Sequence, residues 1–326
     1  MKEKQVSIVM CTYNGENFLK EQLDTLVSQT YPIEEIIVQD DHSTDGTMDI
    51  LRTYAANHPN IKVFTNEGER GINGNFFSAM RRAKSDFIAI CDQDDLWDSL
   101  KIEKQMAVIG NHLLCTCRSK PFSSDGSAVI YDSRTPNYHL IRLLYASIPG
   151  HTMVFHRRLL DLLPDLNYDY QTNYDVFLSL TAASYDSLVF VDEFLVHQRR
   201  YASAATFVNV DNRRTPSVKN GFYILWWSLC HFREVSPYIF VYFQRRLHLL
   251  EGISAENTSY QDALTIVGLE GKRGFLNMMR LCKMHIKHRH HLFYTKEKGL
   301  VNFLRASLYF IMQVYNYQYL LPKNQK

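Results

Sequence analysis

The stretch that decides the fold is Phe87-Ile88-Ala89-Ile90-Cys91-Asp92-Gln93-Asp94-Asp95. Its five apolar residues in a row predict a strand buried on both faces, as in a parallel sheet. The acidic residues follow at the strand's carboxyl end, where open α/β sheets bind their ligands. Because alternate residues of an extended segment point the same way, we expect Asp92 and Asp94 to face one site. Two such carboxylates suit a divalent cation such as Mn²⁺ or Mg²⁺.

The upstream sequence repeats this pattern of a strand followed by a helix. Residues 6–10, 36–38 and 61–64 are apolar and predict three further strands. Repeated β-α-β units with short connections predict an α/β fold, with a mostly parallel sheet flanked by helices. The acidic run alone is also compatible with a polar turn that caps a helix beginning near Asp98. The upstream repeats favour the ligand site.

Polar side chains end three of these strands: Thr12 and Tyr13, then Asp41, then the acidic run. These strand ends share one edge of a parallel sheet, so we expect them to surround a single ligand. The Asp41 carboxylate can accept a hydrogen bond from the imide N–H of uracil or thymine, while the Tyr13 ring stacks on that base. Asp92 can reach ribose hydroxyls, and Asp94 can hold a cation against a diphosphate. The alternative for Asp41 is a turn that only caps the next helix.

The glycine motifs that cradle phosphates are absent from the sequence. No G-x-G-x-x-G follows the first predicted strand, and no G-x-x-x-x-G-K-[ST] occurs anywhere in the chain. This absence argues against dinucleotide-dependent enzymes and P-loop NTPases.

Charge divides the chain into two regions. Residues 1–211 carry 19 Lys and Arg against 28 Asp and Glu, whereas residues 212–326 carry 17 against 6. We therefore predict an acidic first domain over 1–211 and a basic, aromatic-rich helical extension over 212–326. The acidic first domain argues against nucleic acid as its partner. The amino-terminus lacks the apolar core of a signal peptide, which predicts a cytoplasmic protein.

Three motifs carry a family resemblance. They are Ser7-Ile8-Val9-Met10-Cys11-Thr12-Tyr13-Asn14-Gly15, Gln39-Asp40-Asp41-His42-Ser43-Thr44-Asp45-Gly46-Thr47 and Cys91-Asp92-Gln93-Asp94-Asp95-Leu96-Trp97. In this order they resemble family 2 glycosyltransferases, closest to the bacterial branch that builds surface polysaccharides and includes rhamnosyltransferase-like members. The resemblance extends more loosely to about residue 205. It implies a GT-A fold, a UDP- or dTDP-sugar donor, a divalent metal (Mn²⁺ or Mg²⁺) and a glycan or polyprenyl-linked acceptor.

The resemblance also implies inversion at the anomeric carbon, which requires a general base to take the acceptor's proton. The family places that base at the start of a helix in the second half of the domain. The matching segment here is residues 173–180, with Asp175 as the candidate and Asp165 and Asp169 as weaker ones. A helix amino-terminus favours an ionised carboxylate. An ordinary helix-capping role is the alternative for Asp175.

Four further positions follow from the resemblance. His151 matches the strand beside the acceptor pocket and is an acceptor-side candidate, with a packed histidine as the alternative. Arg199 matches a phosphate-binding arginine, and Asn75 matches a position close to the base or ribose. Relatives often have a histidine where this chain has Tyr201, and His197 lies upstream of that position. The departure leaves the third metal ligand open.

The basic extension has two interpretations. Its aromatic segments and the run of Lys, Arg and His over 283–291 suit a helical surface on anionic lipid. They equally suit a packing extension with a solvated basic face. No apolar piece of this region reaches the roughly 18 uncharged residues expected of a spanning helix.

Two alternative functions stay open at the level of sequence. One is a metal-dependent nucleotidyltransferase, which also uses an acidic metal site on an α/β sheet. It needs a basic, glycine-rich phosphate loop near the amino-terminus, whereas no Arg or Lys lies between Val6 and Lys20. The other is a sugar-nucleotide-binding protein without catalysis.

Overall fold

The computed structural model describes residues 4–123, 134–164, 172–201, 218–272, 274–293 and 299–321. The chain forms two compact units. The sheet unit comprises residues 1–133 and 147–210, and the helical unit comprises residues 134–146 and 211–326. Asp165 and Asp169, the weaker base candidates, lie outside the described residues.

The sheet unit holds one eight-stranded sheet within its described residues. The strands are β1 (Val6–Thr12), β2 (Glu35–Asp40), β3 (Ile61–Thr65), β4 (Phe87–Cys91), β5 (Leu96–Trp97), β6 (Leu114–Ser123), β7 (Val154–His156) and β8 (Leu188–Arg200). Their order is β3-β2-β1-β4-β7-β6-β8-β5. The pairs β3/β2, β2/β1, β1/β4 and β6/β8 are parallel, whereas β7 and β5 pair antiparallel with their neighbours. The predicted mostly parallel α/β fold is confirmed.

Helices cover this sheet with their apolar faces. They are α1 (Leu19–Val27), α2 (Thr47–Asn57), α3 (Ile72–Arg82), α4 (Lys101–Ile109) and α6 (Tyr174–Ser184). In α1 the buried residues Leu19, Leu23 and Leu26 recur at helical spacing and pack in the core with strand residues such as Ile8. Each fully buried leucine contributes about 1.5–3 kcal/mol.

Strand direction brings the functional loops together. β1 lies between β2 and β4, and all seven of its residues are buried. Because the three strands are parallel, the loops after Thr12, Asp40 and Cys91 leave the sheet at one edge. The motifs identified in the sequence therefore occupy neighbouring strand ends.

The described residues of the helical unit contain α5 (Leu140–Leu143), α7 (Val218–Glu251), α8 (Thr258–Glu270), α9 (Phe275–Lys287), α10 (Arg289–Leu292), α11 (Leu300–Ser307) and α12 (Tyr309–Asn316). The sequence prediction had placed 134–146 in the first domain. Its place in the helical unit has a clear reason: Asn137 Nδ2 donates to His291 O (2.8 Å), and Arg142 Nη1 donates to Leu292 O (3.1 Å). Among the helices of the described ranges, none is long and apolar enough to cross a membrane.

A buried polar cluster lies inside the helical unit. Tyr145 Oη donates to Glu270 Oε1 at 2.8 Å and lies 2.7 Å from His285 Nε2. Burial raises the pKa of Glu270 to about 7, although the Tyr145 hydroxyl opposes the shift. Burial, with some repulsion from His288, lowers the pKa of His285 to about 3. At pH values between these two pKa values, both side chains are therefore mainly uncharged.

The raised pKa of Glu270 predicts a pH-dependent stability. In the folded protein Glu270 has a pKa of about 7, whereas in the unfolded chain a glutamic acid has a pKa of about 4.3. Between these two pH values Glu270 is protonated in the folded state and ionised in the unfolded state. Between these values the unfolded chain binds fewer protons, so the free energy of unfolding falls as pH rises. We expect Glu270→Gln to match the wild type near pH 4 and to exceed it by about 3–4 kcal/mol above pH 7.

Urea unfolding followed by circular dichroism at each pH measures this difference. The contribution of His285 has the opposite sign and is common to both proteins, so it cancels in the comparison. Glu256→Gln, an exposed acid of the same unit, is the matched control and should show no widening gap. A constant gap for Glu270→Gln across the pH range would contradict the prediction.

Candidate active site

The loop after β1 is tied to the acidic loop after β4 by one amide side chain. Gln93 Nε2 donates to Tyr13 O at 3.0 Å, and Gln93 Oε1 accepts from Tyr13 N at 2.9 Å. Gly15 makes this possible, because a Cβ at that position would overlap the Gln93 amide. The backbone of Tyr13 is thereby fixed while its ring is 59% exposed and available for stacking.

The turn after β2 is organised by Asp40. Its carboxylate accepts from Thr12 Oγ1 at 2.8 Å, from Ser43 N at 2.8 Å and from Ser43 Oγ at 2.6 Å. Thr12 is buried, so its hydroxyl supports this turn from the neighbouring strand.

Asp41 holds the loop that precedes α3. Its two carboxylate oxygens accept from Asn66 Nδ2 at 2.8 Å and from Gly71 N at 2.7 Å. Gly71 has a φ of +93°, a conformation that favours glycine. Each carboxylate oxygen has a second acceptor site, so these bonds leave Asp41 able to accept from a ligand.

Asn75 is engaged within the protein. Its Oδ1 accepts from Gln39 Nε2 at 3.0 Å, and its Nδ2 donates to Gln39 O at 3.1 Å. The side chain is buried and pins α3 to β2. The side chain of Asn75, predicted to bind the donor, is therefore hydrogen-bonded to Gln39 of the same chain.

The acidic loop and His151 form a compact cluster. Its members are Asp92, Asp95 and His151, whose ligating atoms all lie within 4.8 Å of one another. His151 Nδ1 lies 3.1 Å from Asp92 Oδ2 and 3.3 Å from Asp95 Oδ2. Its Nε2 lies 3.0 Å from Ser119 Oγ. His151, expected on the acceptor side, thus lies between two carboxylates.

Burial and like charge shape the electrostatics of the cluster. Burial raises the pKa of Asp95 well above its usual range, and Asp92 and Asp94 raise it further against the opposing effect of His151. Burial opposes the charging of His151, but Asp95 and Asp92 outweigh it and raise its pKa. The two carboxylates therefore need a positive charge between them.

The cluster fits a divalent cation. Asp95 Oδ2 is buried and accepts no hydrogen bond from any described residue, although it faces His151. Carboxylate oxygens with one imidazole nitrogen are an accepted donor set for Mn²⁺. When the Nε2–H group of His151 donates to Ser119 Oγ, the Nδ1 atom of the same ring carries a lone pair. This lone pair faces Asp92 and Asp95 and is available to a metal ion. These three residues could therefore hold the metal that the sequence predicts.

Asp94, the metal ligand expected from sequence, lies outside this cluster. Gln93 and Asp94 form a turn, so the loop is not extended and Asp95 rather than Asp94 joins Asp92. Tyr201 Oη donates to Asp94 Oδ2 at 2.7 Å. Burial, and then repulsion from Asp92, raises the pKa of Asp94. Asp94 therefore lies close enough to Asp92 for the two charges to repel each other.

Arg199 is locked beside the same loop. Its backbone N–H donates to Asp95 Oδ1 at 3.1 Å, and its Nε donates to Asp94 O at 3.0 Å. The guanidinium carbon lies 4.6 Å from the centroid of the Phe18 ring. Its Nη2 donates to Glu21 Oε2 at 2.5 Å. Arg199 is therefore held beside the acidic loop, with its charge shared between that loop and Glu21.

Asp175 lies in the first turn of α6, whose start is fixed by α3. Asn73 Oδ1 accepts from Tyr174 N at 2.9 Å, and Asn73 Nδ2 donates to Thr172 O at 2.9 Å. The Tyr174 ring stacks on Phe76, with centroids 4.2 Å apart. Burial raises the pKa of Tyr174, and the carboxylates of Asp92 and Asp175 raise it further. The Tyr174 hydroxyl thus lies within electrostatic reach of both acids.

The Cys11 thiol responds to the charges of both Asp92 and Asp41. Burial raises the pKa of Cys11, and the charges of Asp92 and then Asp41 add to the shift. The charges of Asp92 and Asp41 thus both reach Cys11, and those of Asp92 and Asp175 both reach Tyr174. The side chains of three predicted donor-binding residues, Thr12, Asn75 and Arg199, are bonded to other protein groups.

Several residues of the site were missed by sequence reasoning. They are Gln93, Asp95, Ser119, Gly150 and Tyr174. Asp95 had a signal, because it follows Asp92 by three residues, a spacing that a turn brings together. Gln93 and Ser119 act through contacts between distant segments, which the local sequence does not reveal.

Comparisons with known proteins show which family the sheet unit resembles. The sequence model described as Glycosyl transferase family 2 matches residues 7–162. This segment is therefore similar to family 2 of the glycosyltransferases, the family that the three motifs resemble.

Two curated relatives illustrate the sequence similarity. Putative glycosyltransferase EpsE of Bacillus subtilis is 37% identical over 109 residues, which is 33% of this chain and 39% of EpsE. WfgD of Escherichia coli, a UDP-Glc:alpha-D-GlcNAc-diphosphoundecaprenol beta-1,3-glucosyltransferase, is 34% identical over 109 residues, which is 33% of this chain and 42% of WfgD. The chain thus spans less than half the length of these relatives.

The solved structures show the fold. TarS 1–349 of S. aureus in complex with UDP-GlcNAc superposes with a TM-score of 0.54 at 16% identity, covering 96% of this chain and 90% of that chain. The expected GT-A type of α/β fold with a carboxyl-terminal helical region is confirmed.

Gly150 offers a test of how tightly α6 is positioned. A Cβ at this position would overlap the Tyr174 hydroxyl, so Gly150→Ala is expected to destabilise the protein by about 1–3 kcal/mol. Combining it with Tyr174→Phe removes the hydroxyl, and part of the loss should be recovered in a double-mutant cycle measured by thermal unfolding.

Gly68→Ala is the matched control, since a Cβ there would meet only Asn66 Oδ1 at an ordinary 3.5 Å. Strictly additive effects of Gly150→Ala and Tyr174→Phe would show that the two residues do not constrain each other.

Proposed function

We propose that this protein is an inverting glycosyltransferase that moves a sugar from a nucleoside-diphosphate donor to a hydroxyl of a glycan or lipid-linked acceptor. The observation that carries the proposal is the cluster of Asp92, Asp95 and His151 at the carboxyl end of β4, inside the family 2 segment. The cluster lies beside the loops of Tyr13 and Asp41, which suit a pyrimidine base.

Residues around the cluster have distinct roles in donor binding. The Tyr13 ring stacks on the base, and Asp41 accepts from the base N–H. Asp92, Asp95 and His151 would hold a divalent cation, and such a cation would supply positive charge that stabilises a departing diphosphate. Arg199 adds positive charge beside Asp94, where it favours binding of the diphosphate.

Asp175 is the proposed general base. The acceptor hydroxyl attacks the anomeric carbon, a new C–O bond forms, and the bond from that carbon to the diphosphate oxygen breaks. The proton of the hydroxyl passes to a carboxylate oxygen of Asp175, and the nucleoside diphosphate leaves with the bonding electrons. The dipole of α6 favours the ionised form of Asp175 that this step requires.

The relatives support a particular donor and acceptor class. WfgD by name uses UDP-Glc and a diphosphoundecaprenol-linked sugar, and TarS was solved with UDP-GlcNAc. We propose a UDP-sugar donor and a lipid-linked acceptor for this chain, with dTDP-rhamnose as the alternative donor suggested by the rhamnosyltransferase-like motifs. Release of a nucleoside diphosphate from these donors, and no pyrophosphate from nucleoside triphosphates, distinguishes this activity from nucleotidyl transfer.

The identity of the metal ligands can be tested without turnover. Calorimetric titration with Mn²⁺ in the absence of donor should show affinity weakened by about 10- to 100-fold or more in His151→Phe and Asp95→Asn. Asp94→Asn should retain most of the affinity, because Asp94 accepts from Tyr201 and lies outside the cluster.

Asp86→Asn serves as the matched control for this titration. Asp86 is exposed and immediately precedes the opposite end of β4. If Asp94→Asn abolished Mn²⁺ binding while His151→Phe preserved it, the ligand set expected from sequence would replace the one proposed here.

The general base has a test of its own. Asp175→Asn should bind the nucleotide-sugar donor with unchanged affinity and lower kcat by about 100-fold or more. Asp161→Asn, an exposed acid elsewhere in the sheet unit, should leave both quantities unchanged. Unaltered turnover in Asp175→Asn would remove Asp175 from the mechanism.

A further inference from the structure

One stripe of α7 exposes large apolar side chains to solvent. Phe222, Trp226 and Leu229 are 71%, 70% and 52% exposed, and their spacing of four and three residues puts them on one face. Arg233 continues the same stripe four residues further on. Exposed aromatic and aliphatic residues in one row mark a surface that contacts something apolar.

The start of α9 carries a second exposed apolar group. Phe275, Leu276 and Met279 are 67%, 71% and 55% exposed. They follow Gly274, whose φ of +115° is a conformation that favours glycine, and α9 begins at the next residue. Lys272 lies just before this glycine, so a positive charge adjoins the apolar residues.

A cavity joins these two groups. Its volume is about 450 Å³, and its walls come from α7, α8, α9 and α12. Arg233 of the α7 stripe and Phe275 of the α9 start both line it, together with Lys272. Most of its other walls are apolar, including Phe240, Leu281 and Phe310. The cavity is thus a mostly apolar space whose charged lining residues are the cations Lys272 and Arg233 and the buried acid Glu270.

The positive charge of the carboxyl-terminal region indicates what kind of ligand the cavity would bind. Residues 212–326 carry 17 Lys and Arg against 6 Asp and Glu, so two copies of this region would repel each other. A ligand that is apolar along its length and anionic at its head matches both the cavity and the cations. Phospholipids with negative head groups have this chemistry, and basic surfaces with exposed aromatic residues bind membranes that contain them.

We propose that the α7 stripe and the α9 start dock the helical unit on an anionic membrane, with one lipid chain entering the cavity and Lys272 and Arg233 facing the lipid phosphate. This inference is independent of the transferase activity. It concerns residues of the helical unit only.

Co-sedimentation with vesicles tests the apolar contact. The full chain should bind vesicles of equimolar phosphatidylglycerol and phosphatidylcholine. The double variant Phe275→Ser/Leu276→Ser should bind them at least about tenfold more weakly, because two large side chains no longer enter the bilayer. Val108→Ser removes a 46% exposed apolar side chain from the sheet unit and should bind as the wild type does.

Charge reversal tests the phosphate contact. Lys272→Glu/Arg233→Glu should lower binding to the anionic vesicles by about tenfold or more, whereas Arg81→Glu on the sheet unit should change it little. Circular dichroism and thermal unfolding confirm that each variant is folded. Equal binding of the wild type to pure phosphatidylcholine and to anionic vesicles would overturn the role of the cations.

Trp226 provides a direct reporter of depth. Vesicles of phosphatidylglycerol brominated on its acyl chains should quench tryptophan fluorescence in the wild type, and Trp226→Phe should lose most of the quenched signal. Buried Trp97 of the sheet unit supplies an unquenched reference. Absence of quenching, or concentration-dependent self-association that Phe275→Ser/Leu276→Ser abolishes, would overturn the proposal in favour of a contact with another protein surface.

Discussion

The electrostatic balance between His151 and the two acids around it is the constraint on which the site depends. Asp92 and Asp95 lie 3.1 Å and 3.3 Å from the same imidazole nitrogen, and Asp95 is almost wholly buried. Like charges held this close in a region of low dielectric repel strongly unless a cation or a proton lies between them. The fold maintains them because β4 and the segment before β7 fix the backbones on both sides. A divalent ion held by these residues would relieve the same repulsion more fully than a proton does.

The parallel strands explain why a single edge of the sheet can gather so many functional groups. Burial of β1 between β2 and β4 fixes where each loop leaves the sheet. Short side-chain bridges then fix the loops relative to one another: Asp40 to Thr12, Asp41 to Asn66, and Gln93 to Tyr13. The bridges of Asp40 and Asp41 satisfy buried polar groups, whereas the bridge from Gln93 to Tyr13 joins two exposed loops. Rigidity at this edge therefore comes from hydrogen bonds between loops as much as from the sheet itself.

The sequence predicted the strands and the acidic edge because both depend on local patterns, apolar runs and the residues that follow them. It did not predict the geometry of the acidic loop. Asp92 and Asp94 were expected to share a face in an extended segment, but the chain turns at Gln93 and presents Asp95 instead. The place of His151 was also beyond reach, because a contact across 59 residues leaves no periodic signal. Similarly, residues 134–146 join the helical unit through hydrogen bonds to residues about 150 positions away.

The contact between Gln93 and the loop at Gly15 limits how this protein could be altered. Any larger residue at position 15 would collide with the amide at position 93, so the two positions can vary only together. A shorter residue at 93 would relieve the collision but release the backbone of Tyr13. Attempts to redesign the first loop should therefore treat these two distant positions as one unit of variation.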